Sequence, residues 1–161
     1  MVFKKYIEKF RVLLRLSALL LTFSLVGCAS GNLYSVAKND IPTLKPDMGR
    51  IFVYRSFNPL SLLRPLVFKL DGKNIADTYS ATIFYHDVKP GKHTINFTGG
   101  HPDFSFNLTM GGAVYIRYSV VSDEVAKGNA IAELVDPKVA INELNNVRLI
   151  EKTIRYPDEL G

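Results

Sequence analysis

The sequence predicts a mainly β protein: an antiparallel β-sandwich of about seven strands with one short C-terminal helix, preceded by a cleaved lipoprotein signal peptide. Hydrophobic and polar residues alternate with a period of two in several short segments, as in strands with one buried face. Turn-forming pairs such as Asp71-Gly72 and Gly111-Gly112 separate these segments at intervals of roughly a dozen residues. A basic and then apolar N-terminus ends at Cys28.

Residues 1–27 have the features of a signal peptide. Five basic residues precede the uncharged stretch Leu16–Val26. A helix of this length reaches about 16 Å, short of a bilayer core of about 30 Å, so a signal-peptide core fits better than a membrane span. The end of the stretch, Leu25-Val26-Gly27-Cys28, resembles a bacterial lipobox, which implies a lipid on Cys28 and removal of the preceding peptide. An uncleaved anchor and an ordinary signal peptide are the alternatives.

The residue after Cys28 indicates the membrane. Ala29 stands where an aspartate would resemble an inner-membrane retention signal, so the resemblance implies an outer-membrane lipid anchor facing the periplasm. In a Gram-positive source the anchor would lie in the cell membrane. Residues 28–47 show no clean period and contain two prolines, and they predict a lipidated N-terminus followed by a flexible tether. Taken as coil, the nineteen residues 29–47 span about 25 Å, which would hold the domain just off the membrane.

The composition of the processed chain excludes several classes of function. The chain has 20 basic and 15 acidic residues, and residues 1–27 contain five basic and one acidic, so 15 and 14 remain, a net charge of +1. A nucleic-acid partner requires a strong positive field, which this balance does not supply. Cys28 is the only cysteine, so no disulfide can form within the chain, and the fold depends on core burial.

Residues 48–156 are assigned to the β-sandwich and residues 157–161 to a tail. The predicted strands are Ile51–Tyr54, Leu66–Leu70, Ile83–Val88, His93–Phe97, Phe104–Thr109, Val114–Val120 and Ile131–Val135. Asp136 as N-cap and Pro137 at the first position predict a helix over Val139–Leu144. For Val147–Ile154, a last strand and a continued helix both remain open.

Several segments together resemble a family of bacterial lipoproteins known as domain of unknown function 2846. The matching segments are Gly49–Arg55, Asp71–Lys73, Asp87–Ile95 and Gly112–Arg117. The turn that begins at Pro90-Gly91 is also similar to turns of PEGA-type surface domains, which are small β-sandwiches. The resemblance covers about residues 48–145 and implies a fold and a location but no activity, since the family has none established.

The candidate catalytic and metal-binding residues are sparse. A metal site would need convergent ligands, but the adjacent residues His86 and Asp87 point to opposite faces of a strand. His93 could approach His86 across a hairpin, or it could pack or cap beside the Pro-Gly turn. We therefore predict no catalytic residue, no metal and no cofactor, and we interpret the acidic pairs Asp123-Glu124 and Asp158-Glu159 as solvated surface charge. The chain lacks the Gly-x-Ser-x-Gly nucleophile motif.

The segment 57–65 is apolar and bounded by prolines. It is interpreted either as a strap over the end of the sandwich or as an exposed contact patch for a partner or for lipid, as exposed apolar surface often is. The contact residues would be Phe57, Leu60, Leu62 and Leu63. The predicted function is a non-catalytic binding or structural module of the cell envelope, with an envelope protein as partner. The alternative is a small-molecule or glycan binder that uses Tyr85, Tyr115 and Tyr118.

Overall fold

The computed structural model describes residues 31–59, 65–97, 103–120 and 130–150. In these ranges the chain is mainly β, with nine strands and two short α-helices. The elements in chain order are α1 (Tyr34–Ala37), β1 (Gly49–Arg55), β2 (Leu66–Leu70), β3 (Lys73–Thr78), β4 (Thr82–Val88), β5 (Gly91–Phe97), β6 (Phe104–Leu108), β7 (Ala113–Val120), β8 (Ala130–Val135), α2 (Pro137–Glu143) and β9 (Arg148–Leu149). Single 3₁₀ turns follow each helix, at Lys38–Asp40 and Leu144–Asn146.

The strands form two sheets. Sheet A has the order β8-β7-β1-β4-β9, and sheet B has the order β3-β2-β5-β6. Sheet B is antiparallel throughout, whereas in sheet A β1 runs parallel to β7 and β4 runs parallel to β9. The prediction of an all-antiparallel sandwich is therefore wrong for sheet A. Alternation of polar and apolar residues fixes which face of a strand is buried, but it carries no information about the direction of the neighbouring strand.

The main core lies between the two sheets. Phe68 of β2 is fully buried there, and its ring packs edge-on against Phe84 and Phe97, with centroids 5.4 Å away in both cases. Phe97 in turn stacks on Tyr118 of β7 at 3.9 Å. Rings from both sheets thus interlock, which adds a geometric preference to the burial of apolar area.

The other face of sheet A carries a third layer. Phe52 and Tyr54 alternate with the core residues of β1 and join a second buried cluster with Tyr34 of α1 and Leu144, which follows α2. β1 is therefore buried along its whole length and on both faces. This double burial explains why its sequence reads as a nearly continuous apolar run rather than as an alternating strand.

The C-terminal helix forms where the sequence predicts it. Pro137 occupies the first turn of α2, and the Asp136 carboxylate accepts a hydrogen bond of 2.8 Å from the Lys138 amide. The first backbone N–H groups of a helix have no partner within the helix. The Asp136 side chain accepts a hydrogen bond from one of them, and Pro137 has no N–H that would need a partner. The short strand β9 follows α2, while residues 151–154 of the segment left open lie outside the described residues.

Three additional elements account for the difference in strand and helix count. All seven predicted strands are present, but β3 and β9 raise the number to nine, and α1 was not predicted. The Asp71-Gly72 pair forms the hairpin between β2 and β3, with φ values of 51° and 81° that match a two-residue turn favoured by Asp-Gly. By contrast, Pro90-Gly91 and Gly111-Gly112 connect strands of different sheets.

The packed part of the chain begins before residue 48. The backbone of Asn32 accepts a hydrogen bond from Leu149, and Leu33 forms a β-bridge with Arg148. Tyr34 of α1 packs in the buried cluster on sheet A, and Ala37 is buried as well. The packed body thus includes residues 31–40, which belong to the segment that the sequence analysis assigned to the tether.

Candidate functional site

Among the candidate contact residues, the described part of the chain contains Phe57 alone. Cys28, Leu60, Leu62 and Leu63 lie outside it, as do both acidic pairs. The Phe57 side chain is 65% exposed. Next to it, the Asn58 amide donates to Ser80 Oγ at 2.9 Å, and Ser80 Oγ donates to Asn58 O at 3.2 Å. The first residues of the loop are therefore fastened to the turn before β4, while the Phe57 ring faces solvent.

A buried cation lies below this end of the sandwich. Arg55, the last residue of β1, is 2% exposed, and its Nη1 donates to Thr78 O at 3.0 Å. The guanidinium carbon lies 5.6 Å from the centre of the Tyr118 ring, within cation–π distance. Burial lowers the pKa of this guanidinium, although arginine remains protonated at any physiological pH.

The structure shows whether His93 approaches His86 or packs beside the Pro-Gly turn. His86 lies on β4 of sheet A and His93 on β5 of sheet B, so the hypothesis that they meet across a hairpin is wrong. His93 Nδ1 lies 2.7 Å from Asp71 Oδ2, and its Nε2 lies 2.8 Å from Lys89 O. The His93 ring is thus held between a carboxylate and a backbone carbonyl. The interpretation of His93 as a packing or capping residue beside the turn is confirmed.

Asp71 is the centre of this small polar cluster. Its Oδ1 accepts a hydrogen bond of 2.9 Å from the Thr94 amide, while Oδ2 faces His93. Partial burial acts to raise the pKa of the Asp71 carboxyl, but the hydrogen bonds from Thr94 and His93 outweigh it, and the pKa lies below its usual value. The carboxylate thereby holds the β2–β3 turn against β5.

Two of the three tyrosines proposed for ligand binding share one surface. Tyr85 and Tyr115 lie on the outer face of sheet A on either side of Phe52, and both are half-buried. Phe52 and Tyr115 stack at 4.8 Å with nearly parallel rings, and Tyr85 is tilted against Phe52 at 6.3 Å. Tyr118 points to the opposite face, where it is 1% exposed in the core, so its assignment to this surface is wrong.

An ion pair borders these aromatic rings. Arg50 Nε and Nη2 donate to the two carboxylate oxygens of Asp87 at 2.6 and 2.7 Å, a bidentate arrangement. The guanidinium also lies over the Tyr85 ring, 4.7 Å from its centre. The hydrogen bond to Asp87 raises the pKa of Arg50. Tyr34 covers Phe52 from α1, and burial, followed by the effect of Tyr115, raises the pKa of Tyr34 to about 12.

A second polar group joins sheet A to α2. Arg117 Nε donates to Glu133 at 2.9 Å, and Arg117 Nη1 donates to Glu143 of α2. The hydroxyl of the buried Tyr54 donates to the other oxygen of Glu143 at 2.6 Å. The sequence analysis did not identify this group, because its members are up to 89 residues apart. The register of β1 and β7 places Tyr54 beside Arg117, and the sequence carries no local signal for that pairing.

Within the described ranges, the structure contains no group of three or more His, Cys, Asp or Glu side chains able to hold a metal ion. In the same ranges, no helix combines the length and the apolar character needed to cross a bilayer.

Comparison with known proteins adds no relative. No family model matches the chain, and no curated protein matches its sequence. The similarity to the domain of unknown function 2846 and to PEGA-type domains therefore stays a prediction.

Proposed function

We propose that the chain is a membrane-anchored cell-envelope lipoprotein whose β domain is a non-catalytic binding or structural module in the periplasm. The observation that carries this proposal is the coincidence of a basic segment, the apolar stretch Leu16–Val26 and the sequence Leu25-Val26-Gly27-Cys28. A lipid with two or three chains on Cys28 would make the attachment persistent, since each buried methylene contributes about 0.8 kcal/mol. The proposed location is the periplasmic side of the outer membrane.

The described polar groups support a structural use rather than catalysis. Arg50 is engaged by both oxygens of Asp87, and Arg117 is engaged by two glutamates. The polar contacts of His93 are to the Asp71 carboxylate and a backbone carbonyl. Side chains committed to such pairs hold elements of the fold together.

The anchor is tested by labelling in a Gram-negative host with an alkyne analogue of palmitate. The wild-type protein is expected to incorporate the label, to lose residues 1–27 by mass spectrometry and to accumulate unprocessed when the lipoprotein signal peptidase is inhibited. C28S should lose the label. C28S/S30C, which keeps one cysteine but moves it away from the processing site, should lose the label as well. A wild-type chain with a free thiol and an intact leader would refute the proposal.

Binding through the loop after β1 is tested separately. We expect L62S/L63S or F57S to leave the melting temperature nearly unchanged while a partner is lost from cross-linked envelope extracts. M110S is the matched control, because Met110 is exposed to a similar extent (66%) but lies in the turn before β7. A large fall in melting temperature of L62S/L63S would instead support the interpretation of the loop as a strap.

The aromatic surface on sheet A favours a second candidate, a small-molecule or glycan binder. Tyr85 and Tyr115 remain half-exposed beside the Arg50–Asp87 pair, and aromatic rings with adjacent polar groups suit sugars. Soluble peptidoglycan fragments should then raise the melting temperature of the wild type, and Y115A should abolish the shift. Y79A is the control, because Tyr79 is also half-buried but follows β3 in sheet B. An unchanged melting temperature with all fragments would reject this candidate.

A further inference from the structure

Strand β8 forms one edge of sheet A. It pairs with β7 on one side, and among the described strands it has no neighbour on the other. Natural proteins usually protect such an edge from another strand with charges, prolines, bulges or a very short strand. β8 is six residues long and contains no proline, glycine or lysine. Its one charged residue is Glu133, and Arg117 engages that carboxylate from β7.

The other three edges of the described sheets are less open to pairing. β9 has two residues. β6 buries Phe106 and Leu108 and exposes the polar residues Ser105 and Asn107. β3 begins with the exposed Lys73, and its pairing with β2 contains a register shift. β8 is therefore the described edge at which another strand can be added most readily.

Apolar side chains of β8 are exposed on both faces of the sheet. Leu134 pairs with the fully buried Ile116, so it lies on the inner face, which carries the main core, yet it is 48% exposed. Ile131 lies on the outer face and is 56% exposed. Sheet B thus leaves part of the inner face of β8 uncovered. A further strand beside β8 would remove apolar surface on both faces from water and pair the backbone groups of the edge.

The β8 strand of a second copy, running antiparallel, matches this edge. A twofold axis perpendicular to sheet A keeps the inner faces of the two copies on the same side. Directly opposite residues of paired strands share a face, so inner residues must pair with inner residues. Two registers meet this condition and pair five residues of each strand, one centred on Ala132 and the other centred on Glu133.

Charge distinguishes these two registers. The register centred on Glu133 places the carboxylates of the two copies directly opposite each other, which is destabilising. The register centred on Ala132 instead places each Glu133 opposite Ile131 of the other copy, and the small Ala132 side chains meet at the axis. In that register Leu134 lies opposite position 130. The sequence of β8 is thus compatible with its own antiparallel copy in one of the two registers.

We propose that two copies of the chain associate through β8 in the register centred on Ala132, which joins two five-stranded sheets into one of ten strands. This interface goes beyond the proposed function and does not depend on a lipid at Cys28. It is small, so association is expected to be weak and to vary with protein concentration.

Cysteine cross-linking tests the register. The full chain is expressed in a Gram-negative host, oxidised with copper phenanthroline in permeabilised cells and then purified. A132C should form a disulfide-linked dimer, because its two thiols meet at the axis. L134C is the matched control on the same face. Its two copies lie four residues apart along the strands, about 14 Å, so they should not link. The wild type measures any linkage through Cys28.

Each other pattern of linkage would overturn the proposal. Absence of a link in A132C would show that the two edges do not meet. Equal linkage of A132C and L134C would indicate parallel or unspecific pairing, and linkage of E133C in place of A132C would indicate the other register. A link from A132C to a different host protein would show that the strand added to β8 comes from another partner.

Charge substitutions at Ile131 test the same register without an added cysteine. I131E places a carboxylate opposite Glu133 of the other copy, whereas I131K places an ammonium group there. In sedimentation equilibrium of the purified full chain in detergent, we expect I131K to dimerise at about tenfold lower concentration than I131E. V36E and V36K are the controls, because Val36 is 63% exposed on α1, which contacts β9 at the opposite edge of sheet A.

The two control variants should dimerise like the wild type. Equal dimerisation of I131E and I131K would refute the register. A wild type that stays monomeric up to the limit of its solubility would refute the dimer. A difference between V36E and V36K as large as that between the Ile131 variants would show that net charge, rather than pairing at β8, controls association.

Discussion

Removing the hydroxyl of Tyr54 tests whether α2 is fixed to sheet A by the polar group that the sequence did not reveal. Tyr54 is 1% exposed, and its hydroxyl donates to Glu143 at 2.6 Å. Burial, together with this bond, raises the pKa of Tyr54, so the hydroxyl stays protonated and remains a donor at neutral pH. Hydrogen bonds to charged groups contribute about 1.5–3 kcal/mol. Glu143 keeps its contact with Arg117 in Y54F, which favours the lower end of that range.

We therefore expect Y54F to lower the free energy of unfolding by about 1.5 kcal/mol and the melting temperature by about 6 °C for a domain of this size. Urea unfolding followed by circular dichroism measures the first, and calorimetry measures the second. Y79F is the control, because Tyr79 hydrogen-bonds to Thr82 through its backbone, and it should change stability by less than about 0.5 kcal/mol. In a double-mutant cycle, Y54F and E143Q should be non-additive. Equal effects of Y54F and Y79F, or full additivity with E143Q, would show that the bond does not hold α2.

Three further outcomes follow from the fold. The pKa of Asp71 is lower in the folded protein than in the unfolded chain, where it is about 3.9. The Asp71 carboxylate therefore contributes to the free energy of unfolding at pH values above the unfolded pKa, and this contribution is lost as the pH falls through the folded pKa. The difference in urea midpoint between wild type and D71N should thus shrink from about pH 6 to about pH 3, and a constant difference would exclude the contact with His93 as its source. A Cβ at Gly49 would lie 2.6 Å from a core leucine side chain and 2.8 Å from a backbone oxygen. We therefore expect G49A to lower the free energy of unfolding by about 1–3 kcal/mol, and an unchanged urea midpoint would contradict this packing. F84A, which truncates a buried ring, should lower the free energy of unfolding by about 3–5 kcal/mol. F57A, which truncates an exposed ring, should change it by less than about 0.5 kcal/mol, and similar values for the two variants would refute the assigned core.

The elements that the sequence predicted correctly are those with a strong local cause. β6 alternates Phe104, Phe106 and Leu108 with polar residues, and the structure buries Phe106 and Leu108 as that period requires. α2 follows from Asp136 and Pro137, whose preferences for the start of a helix hold in almost any surroundings. In such segments the tertiary structure only confirms what neighbouring residues already favour.

The elements that were missed lack a strong pattern of their own and depend on the segments they pack or pair with. β3 contains Asn74, Ala76 and Asp77, which are uncommon in strands, and it forms because the Asp71-Gly72 turn places it beside β2. α1 is a single turn that is too short to be stable alone, and it forms because Tyr34 packs on Phe52. The parallel pairing of β1 with β7 has no local signal at all, because it joins segments with all of sheet B between them in the chain.

The layer formed by α1 and α2 changes which surfaces of the protein are available for recognition. In a two-layer sandwich the outer face of sheet A would be open, and its aromatic residues would be the first place to expect a ligand. Here Phe52 is 6% exposed, stacked on Tyr115 and covered by Tyr34, so the centre of that face belongs to the core. Binding by this face would have to use the half-exposed edges of Tyr85 and Tyr115, whereas Phe57 is free to make contacts without unpacking anything. An exposed side chain such as Phe57 can therefore make a contact at a lower cost in stability than the centre of this face.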